Sequence, residues 1–306
     1  MLKSLPLKLF SLTRDINNSN YNILELFVLI ENLSKYKYSG YIEVKDSKQS
    51  FIILIDEGVV VSYVDVTDEP TEISPLIFKY RIEEEMKAVV YVLPPGFSTI
   101  LRGFHFFENQ VMNYVVNNTK DWESLLTKLI KKNITGILEL NFQIESFQML
   151  VKSGNLFLRP DIVNNNNLII SSFYYNEVIL ERIKNNSKFI VNVLGIDNKE
   201  LEEKLKENDF KHSLVKEMEI RESKGIFGGN ITISTEIIEF WYSSLGTNSF
   251  LLKIEGLEGN ISAQIRRDPK LPADVIEIPP NIIQKIKIRN RKALPGEKIA
   301  VYPEIK

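Results

Sequence analysis

The chain has 306 residues, a formal net charge of -2, 44% hydrophobic and 25% charged residues, and no cysteine. That length exceeds one average domain and suits two or three, each able to bury a core. Without thiols, disulfides, cysteine nucleophiles and thiolate-bound zinc are excluded. The small net charge gives no long-range pull towards nucleic acid or an anionic membrane.

At the amino terminus Pro6 and Lys8 interrupt a short apolar run. No stretch reaches the roughly 18 unbroken apolar residues of a membrane span, so a cytoplasmic protein without a span is expected. Ile23, Leu26, Phe27, Ile30 and Leu33 then recur at three- and four-residue spacing and predict a helix, with Asn22 as its N-cap. Gly40 breaks the chain, and strands follow over 41–45, 51–56 and 59–66. Asp56-Glu57-Gly58 reads as a tight turn with glycine at positive φ. A helix over 75–85 and a strand over 88–93 complete this stretch. Phe104, Phe107, Val111, Tyr114 and Val115 make the next segment an amphipathic connector helix packed between neighbours.

The same grammar then returns. Trp122, Leu125, Leu126 and Leu129 predict a helix capped by Asp121, and Gly136 breaks it. Strands are expected over 137–141, 147–151 and 156–159, a helix over 177–184 and a strand over 189–194. Segments 33–58 and 129–154 align without a gap at a spacing of 96, with eight of 26 positions identical: Leu33, Lys35, Gly40, Glu43, Ser50, Phe51, Leu54 and Gly58 meet Leu129, Lys131, Gly136, Glu139, Ser146, Phe147, Leu150 and Gly154. A five-residue insertion at the asparagine run 164–167 then brings Lys87, Val90, Val92 and Leu93 onto Lys188, Val191, Val193 and Leu194. Residues 198–219 read as a charged connector helix.

From Gly225 the pattern changes. GIFGGN is a linker, and strands are predicted over 231–233, 250–255, 261–266, 275–278 and 298–302. Ser234 caps a helix carrying Ile237, Ile238 and Trp241, and Pro279-Pro280-Asn281 opens another carrying Ile282, Ile283 and Ile286. Strand, capped helix, glycine turn and strand, given twice, predicts a small closed barrel with pseudo-twofold character. It resembles double-psi and swapped-hairpin barrels of substrate-recognition domains and some DNA-binding dimers. The expected fold is α+β: two duplicated α/β units, 1–118 and 119–222, and a small β-rich barrel-like domain, 223–306.

Ser39-Gly40, the apolar strand 51–56 and Glu57-Gly58, with Thr135-Gly136, 147–151 and Ser153-Gly154 in the second copy, resemble the PATAN domain. That family is named for the amino-terminal part of certain bacterial response regulators. The resemblance covers about 22–93 and 121–194. It implies a cytoplasmic, non-catalytic protein–protein interaction role in bacterial signalling, linked to surface motility or polarity, with no cofactor and no catalytic residues. No receiver domain accompanies it. Lys152-Ser153 replaces Asp56-Glu57, so the two copies are expected to bind different surfaces.

The residues themselves point the same way. His105 and His212 lie in different connectors, too few and too distant in sequence for a two-histidine metal site or a triad. No phosphate loop, nucleophile elbow or HExxH motif is present. Glu43 and Glu139 recur mid-strand and read as surface positions, and Glu83, Glu84 and Glu85 as a solvated helix end. Tyr36, Tyr38, Tyr41 and Tyr63 cluster around turns of the first copy and form the candidate interaction surface, aromatic rings being favourable anchors. Arg266, Arg267, Arg289 and Arg291 are the candidate anion contacts. Other proteins are the expected partners. Nucleic acid binding through the carboxy-terminal barrel is the alternative.

Overall fold

The computed structural model describes residues 19–304 apart from 47, 69, 83–84, 94, 104–110, 144, 159–173, 186–187, 224–229, 248, 258–264 and 289–290. It contains both helices and strands in an α+β arrangement, organised around three main sheets.

The first sheet comprises β1 (Ser19–Asn22), β2 (Gly40–Lys45), β3 (Ser50–Asp56), β4 (Val59–Asp65), β5 (Thr71–Ile73) and β6 (Glu85–Val92), in the order β1-β6-β2-β3-β4-β5. All its pairings are antiparallel. Helix α1 (Ile23–Lys35) starts where the sequence predicts. Asn22 accepts from the Glu25 amide at 2.9 Å, and the Glu25 carboxylate accepts from the Asn22 amide at 2.9 Å, a reciprocal capping box. Central β3 is apolar on both faces because both are covered. Phe51, Ile53 and Ile55 pack towards α1 and α2 (Pro75–Arg81), while Ile52 and Leu54 pack towards α3 (Phe97–Arg102). Helix α2 ends at Arg81, before the predicted 85, and Glu85 opens β6.

The second sheet comprises β7 (Val111–Val116), β8 (Ile134–Asn141), β9 (Ser146–Lys152), β10 (Asn155–Phe157) and β11 (Phe189–Asp197). Its order, β7-β11-β8-β9-β10, follows the same path as β1-β6-β2-β3-β4. Left-handed backbone recurs at the same spacing: Lys37 and Asn133, both at φ +50°, Glu57 and Ser153 at +48° and +51°, Gly58 and Gly154 at +84° and +79°. Ile42 faces Val90, but Leu138 faces Val193, so the structure places Val193, not Val191, where Val90 stands. A two-residue slip preserves which face each side chain occupies, which is why the apolar pattern does not reveal it.

Two further expectations are corrected here. Residues 111–116 form a strand rather than part of an amphipathic helix; 104–110 lie outside the described residues. Met112, Tyr114 and Val116 turn inward and Asn113 and Val115 outward, a period of two, in a segment rich in β-branched residues. Helix α4 (Thr119–Lys131) is capped by Asn118, whose side chain accepts from the Asp121 amide; Asp121 sits within the first turn. With α4, a π-helical turn (Tyr175–Ile179) running into α5 (Leu180–Asn185) covers one face of this sheet, around Trp122, Leu138, Val151 and Val193. The asparagine run at 164–167 lies outside the described residues.

Helix α6 (Asn198–Ser213) is shorter than the predicted 198–219, and β12 (Lys216–Glu222) follows it as a strand. Buried Met218 and Ile220 alternate with partly exposed glutamates, a strand signature that a run of charges disguises. Strand β12 lies inside the third sheet with β13 (Ile231–Ser234), β14 (Leu251–Ile254), β15 (Ile265–Asp268), β16 (Val275–Ile278) and β19 (Lys298–Glu304), in the order β14-β19-β12-β16-β13-β15. Strands β13 and β16 pair antiparallel, and each of these has a parallel neighbour, β15 and β12 respectively. Each also leads into a helix, α7 (Thr235–Leu245) or α8 (Pro280–Ile283). A two-stranded ribbon, β17 (Lys287–Ile288) and β18 (Arg291–Lys292), lies beside it.

The sheets share their cores. Tyr41, Leu54, Phe97 and Ile100 of the first region pack with Ile137, Leu150, Leu194, Leu201 and Leu205. The α1–α2 side of the first sheet runs into the interior of the third, around Trp241, Ile276 and Ile299, with α2 against β19.

Candidate interaction surfaces

The four tyrosines do not form one surface patch. Tyr36, at the end of α1, is 84% exposed. Tyr41 is 1% exposed and stacks on Tyr91 with ring centroids 4.4 Å apart. Tyr63 is half-buried against Phe78, and burial raises its phenol pKa. Tyr38 packs on the first core; its hydroxyl is buried, with no hydrogen-bond partner among the described residues, and burial drives its pKa well upward. Turn positions fixed where these side chains start but not which face of the sheet they enter.

The arginines are also separated. Arg266 and Arg267 are exposed on edge strand β15, and the Arg267 guanidinium sits 4.7 Å from the Tyr242 ring centroid. Arg291 is held by Glu297, with Nη1 donating to Oε2 at 3.0 Å. Arg289 and His105 lie outside the described residues. The ribbon adds Lys287 and Lys292, which face each other across it and are exposed. Glu43 pairs with Lys45 at 2.6 Å, and Glu139 accepts from Asn192 at 2.8 Å.

Among the described residues, one polar cluster joins residues that no sequence motif connects. Glu72 of β5, whose side chain is only 3% exposed, accepts from Arg102 Nε at 2.7 Å and from Asn208 Nδ2 at 3.1 Å. Arg102 also pairs with Asp209 of α6. His212, one turn further along α6, completes the group: Glu72, Asp209 and His212 bring ligand-type atoms within 4.8 Å of one another. Burial lowers the His212 pKa; Glu72 opposes this and Arg102 adds to it. These are metal-ligating residue types, yet both carboxylates are already engaged by the Arg102 cation. The arrangement therefore functions as an ion-pair lock between α3, β5 and α6. The sole local signal was Asp209 and His212 at i, i+3 on a helix.

A second lock ties α2 to the third sheet. Glu217 accepts from Lys79 Nζ at 2.7 Å and Tyr80 Oη at 2.6 Å, and these bonds hold its carboxyl below its ordinary pKa.

One exposed region is lined by uncharged residues, with the Glu139 carboxylate at its margin bonded to Asn192. On the second sheet, Asn113, Val115, Asn141, Ile190 and Asn192 line a shallow depression together with Tyr114. Val115 is 53% and Ile190 46% exposed, and the two are directly paired across β7 and β11. The helical reading of 104–116 hid this region, because a helix would scatter Asn113 and Val115 rather than align them.

No protein-family model matches the chain, and no curated protein or solved structure is significantly similar to it.

Proposed function

We propose that this protein is a non-catalytic interaction scaffold of bacterial signalling, built from two PATAN-like units that arose by duplication and a small barrel-like third unit. Support comes chiefly from one observation: two sheets with the same strand path and left-handed turn residues 96 positions apart. The differing turns, Asp56-Glu57 and Lys152-Ser153, give the units different surfaces. Close-set titratable groups such as Glu72, Asp209 and His212 are tied up in locks between elements, which suits a rigid platform better than a reaction site. A role in surface motility or polarity follows from the family resemblance. The test is affinity capture with the full-length chain from native bacterial lysate at physiological salt. A defined protein partner retained by the wild type and lost on Tyr36→Ala or on substitution in the uncharged strip supports the scaffold. A full-length chain that retains no protein overturns it.

A second reading assigns the third unit to nucleic acid. Lys285, Lys287, Arg291 and Lys292 are exposed on or next to one ribbon, with buried Ile286 and Ile288 anchoring it. Like charges set opposite each other cost about 0.2–1 kcal/mol unless an anion lies near, and a two-stranded ribbon fits a major groove. Steeply salt-dependent binding to duplex DNA, lost in Lys287→Glu with Lys292→Glu, supports it. Absence of binding at low salt dismisses it.

A further inference from the structure

We propose that β7 is the seam of a homodimer, in which the β7 strands of two copies pair antiparallel about a twofold axis at Asn113.

A strand at a sheet edge offers a row of peptide groups to any other chain, and folded proteins blunt such edges with short strands, charges, prolines or bulges. Among the described residues, the other edge strands of the three main sheets follow that rule. Strand β1 has four residues and β10 three. Strand β5 contains Glu72, β14 Lys253, and β15 Arg266 and Arg267. Strand β7 has none of these devices. It is six residues long, Val-Met-Asn-Tyr-Val-Val, without charge or proline. Its register with β11 runs unbroken from Phe189 opposite Val116 to Leu194 opposite Val111, so no bulge twists it away. Among the described residues, its other edge pairs with no strand.

The face beside this edge matches it. Asn113, Val115, Asn141, Ile190 and Asn192 present amides and aliphatic groups, and a carboxylate on this face, Glu139, sits two strands in from the edge, hydrogen-bonded to Asn192. A second copy suits the site because a twofold axis sets each residue against its own kind or its near neighbours. That arrangement is costly for a charged strand and costless for this one. An axis at Asn113 places the two Asn113 side chains opposite each other on the outer face, where each amide offers both donor and acceptor. It places Met112 opposite the partner's Tyr114, on the inner face where both already point. Two five-stranded sheets then become one, and the uncharged strip doubles in length.

The absence of cysteine makes the test clean. In full-length Asn113→Cys the paired Cα atoms would lie about 4.5–5.5 Å apart, within the roughly 4.4–6.8 Å span of a disulfide. In Val115→Cys the two thiols belong to residues about 13 Å apart along the strands. Mild oxidation at micromolar concentration is expected to convert Asn113→Cys into a covalent dimer and leave Val115→Cys as single chains. Wild type should sediment at twice the chain mass. Val115→Lys, a substitution at an exposed position, should sediment as one chain with an unchanged circular dichroism spectrum. A wild-type protein that stays monomeric at these concentrations overturns the proposal. So does a dimer that survives Val115→Lys, or one in which Val115→Cys cross-links as readily as Asn113→Cys.

Discussion

Arg81 and Glu255, 174 residues apart in sequence, meet through an Nε–H to Oε1 hydrogen bond of 2.8 Å, while Nη1 of the same guanidinium donates to Asp65 at 2.8 Å. One side chain at the end of α2 therefore bridges the first and third sheets. Its planar fork makes this geometry available to arginine and not to lysine. Arg81→Ala strands two mostly buried carboxylates. The expected cost is about 2 kcal/mol, below the ~3–5 kcal/mol of a fully buried pair because water reaches and screens the guanidinium. Denaturant unfolding of the variant checks this, and adding Glu255→Gln should return part of the loss. A full loss retained in the double variant would show that the Glu255 charge is not what Arg81 serves.

Helix α6 reaches the first sheet through Leu201, which is buried against α3 and so close to Gly103 that a β-carbon there would come within 2.6 Å of Leu201 Cδ1. Leu201→Ala should cost about 2–5 kcal/mol by transfer and cavity terms. Gly103→Ala should also destabilise, and the pair together should lose less than the sum, since the smaller leucine substitute makes room for the added methyl. Thermal melts of the four proteins measure this coupling.

The left-handed glycines provide a graded series. A β-carbon on Gly154 would lie 2.3 Å from Ile130 Cα, and on Gly58 2.4 Å from the Ser34 carbonyl oxygen. At Gly246, also at positive φ, nothing among the described residues lies within 4 Å. Gly246→Ala should thus cost about 1 kcal/mol, from backbone conformation alone. Gly58→Ala and Gly154→Ala should each cost more, about 2–4 kcal/mol, because strain and collision add. Equal losses at all three positions, measured by chemical denaturation, would refute the steric part of this account.

Acid should loosen the molecule in two stages. Burial depresses the His212 pKa from its ordinary 6.5, so the unfolded chain takes up a proton that the folded chain refuses. Stability contributed by neutral His212 is present at high pH and declines as pH falls through that value. The Glu217 carboxyl, held below its ordinary 4.5 by Lys79 and Tyr80, contributes stability above 4.5 that is lost as pH falls through its lowered value. Melting temperatures of wild type and His212→Gln should therefore diverge in slope between pH 8 and 5, with the variant flatter. Glu217→Gln should change the slope only in the lower range. Parallel curves for His212→Gln and wild type would count against the first stage.

Much of the local structure was legible in the chain because its causes are local. Asn22 with Glu25 specifies a helix start, Asp56-Glu57-Gly58 a left-handed turn, and short apolar runs between turn residues the strands of both α/β stretches. The 96-residue spacing carries the left-handed positions from one stretch to the other. Residues 111–116 and 216–222 misled because β-branched apolar residues and alternating charges fit a helical spacing over so short a window, and only sheet neighbours select the strand. Tertiary structure alone decided that Tyr41 is interior, that Glu72 meets Arg102, Asp209 and His212, and that Arg81 reaches Glu255. The physical reason is that turns, caps and periodicity act over a few residues of backbone, whereas the burial of a tyrosine or the partner of a charge depends on which distant surface the folded chain presses against it.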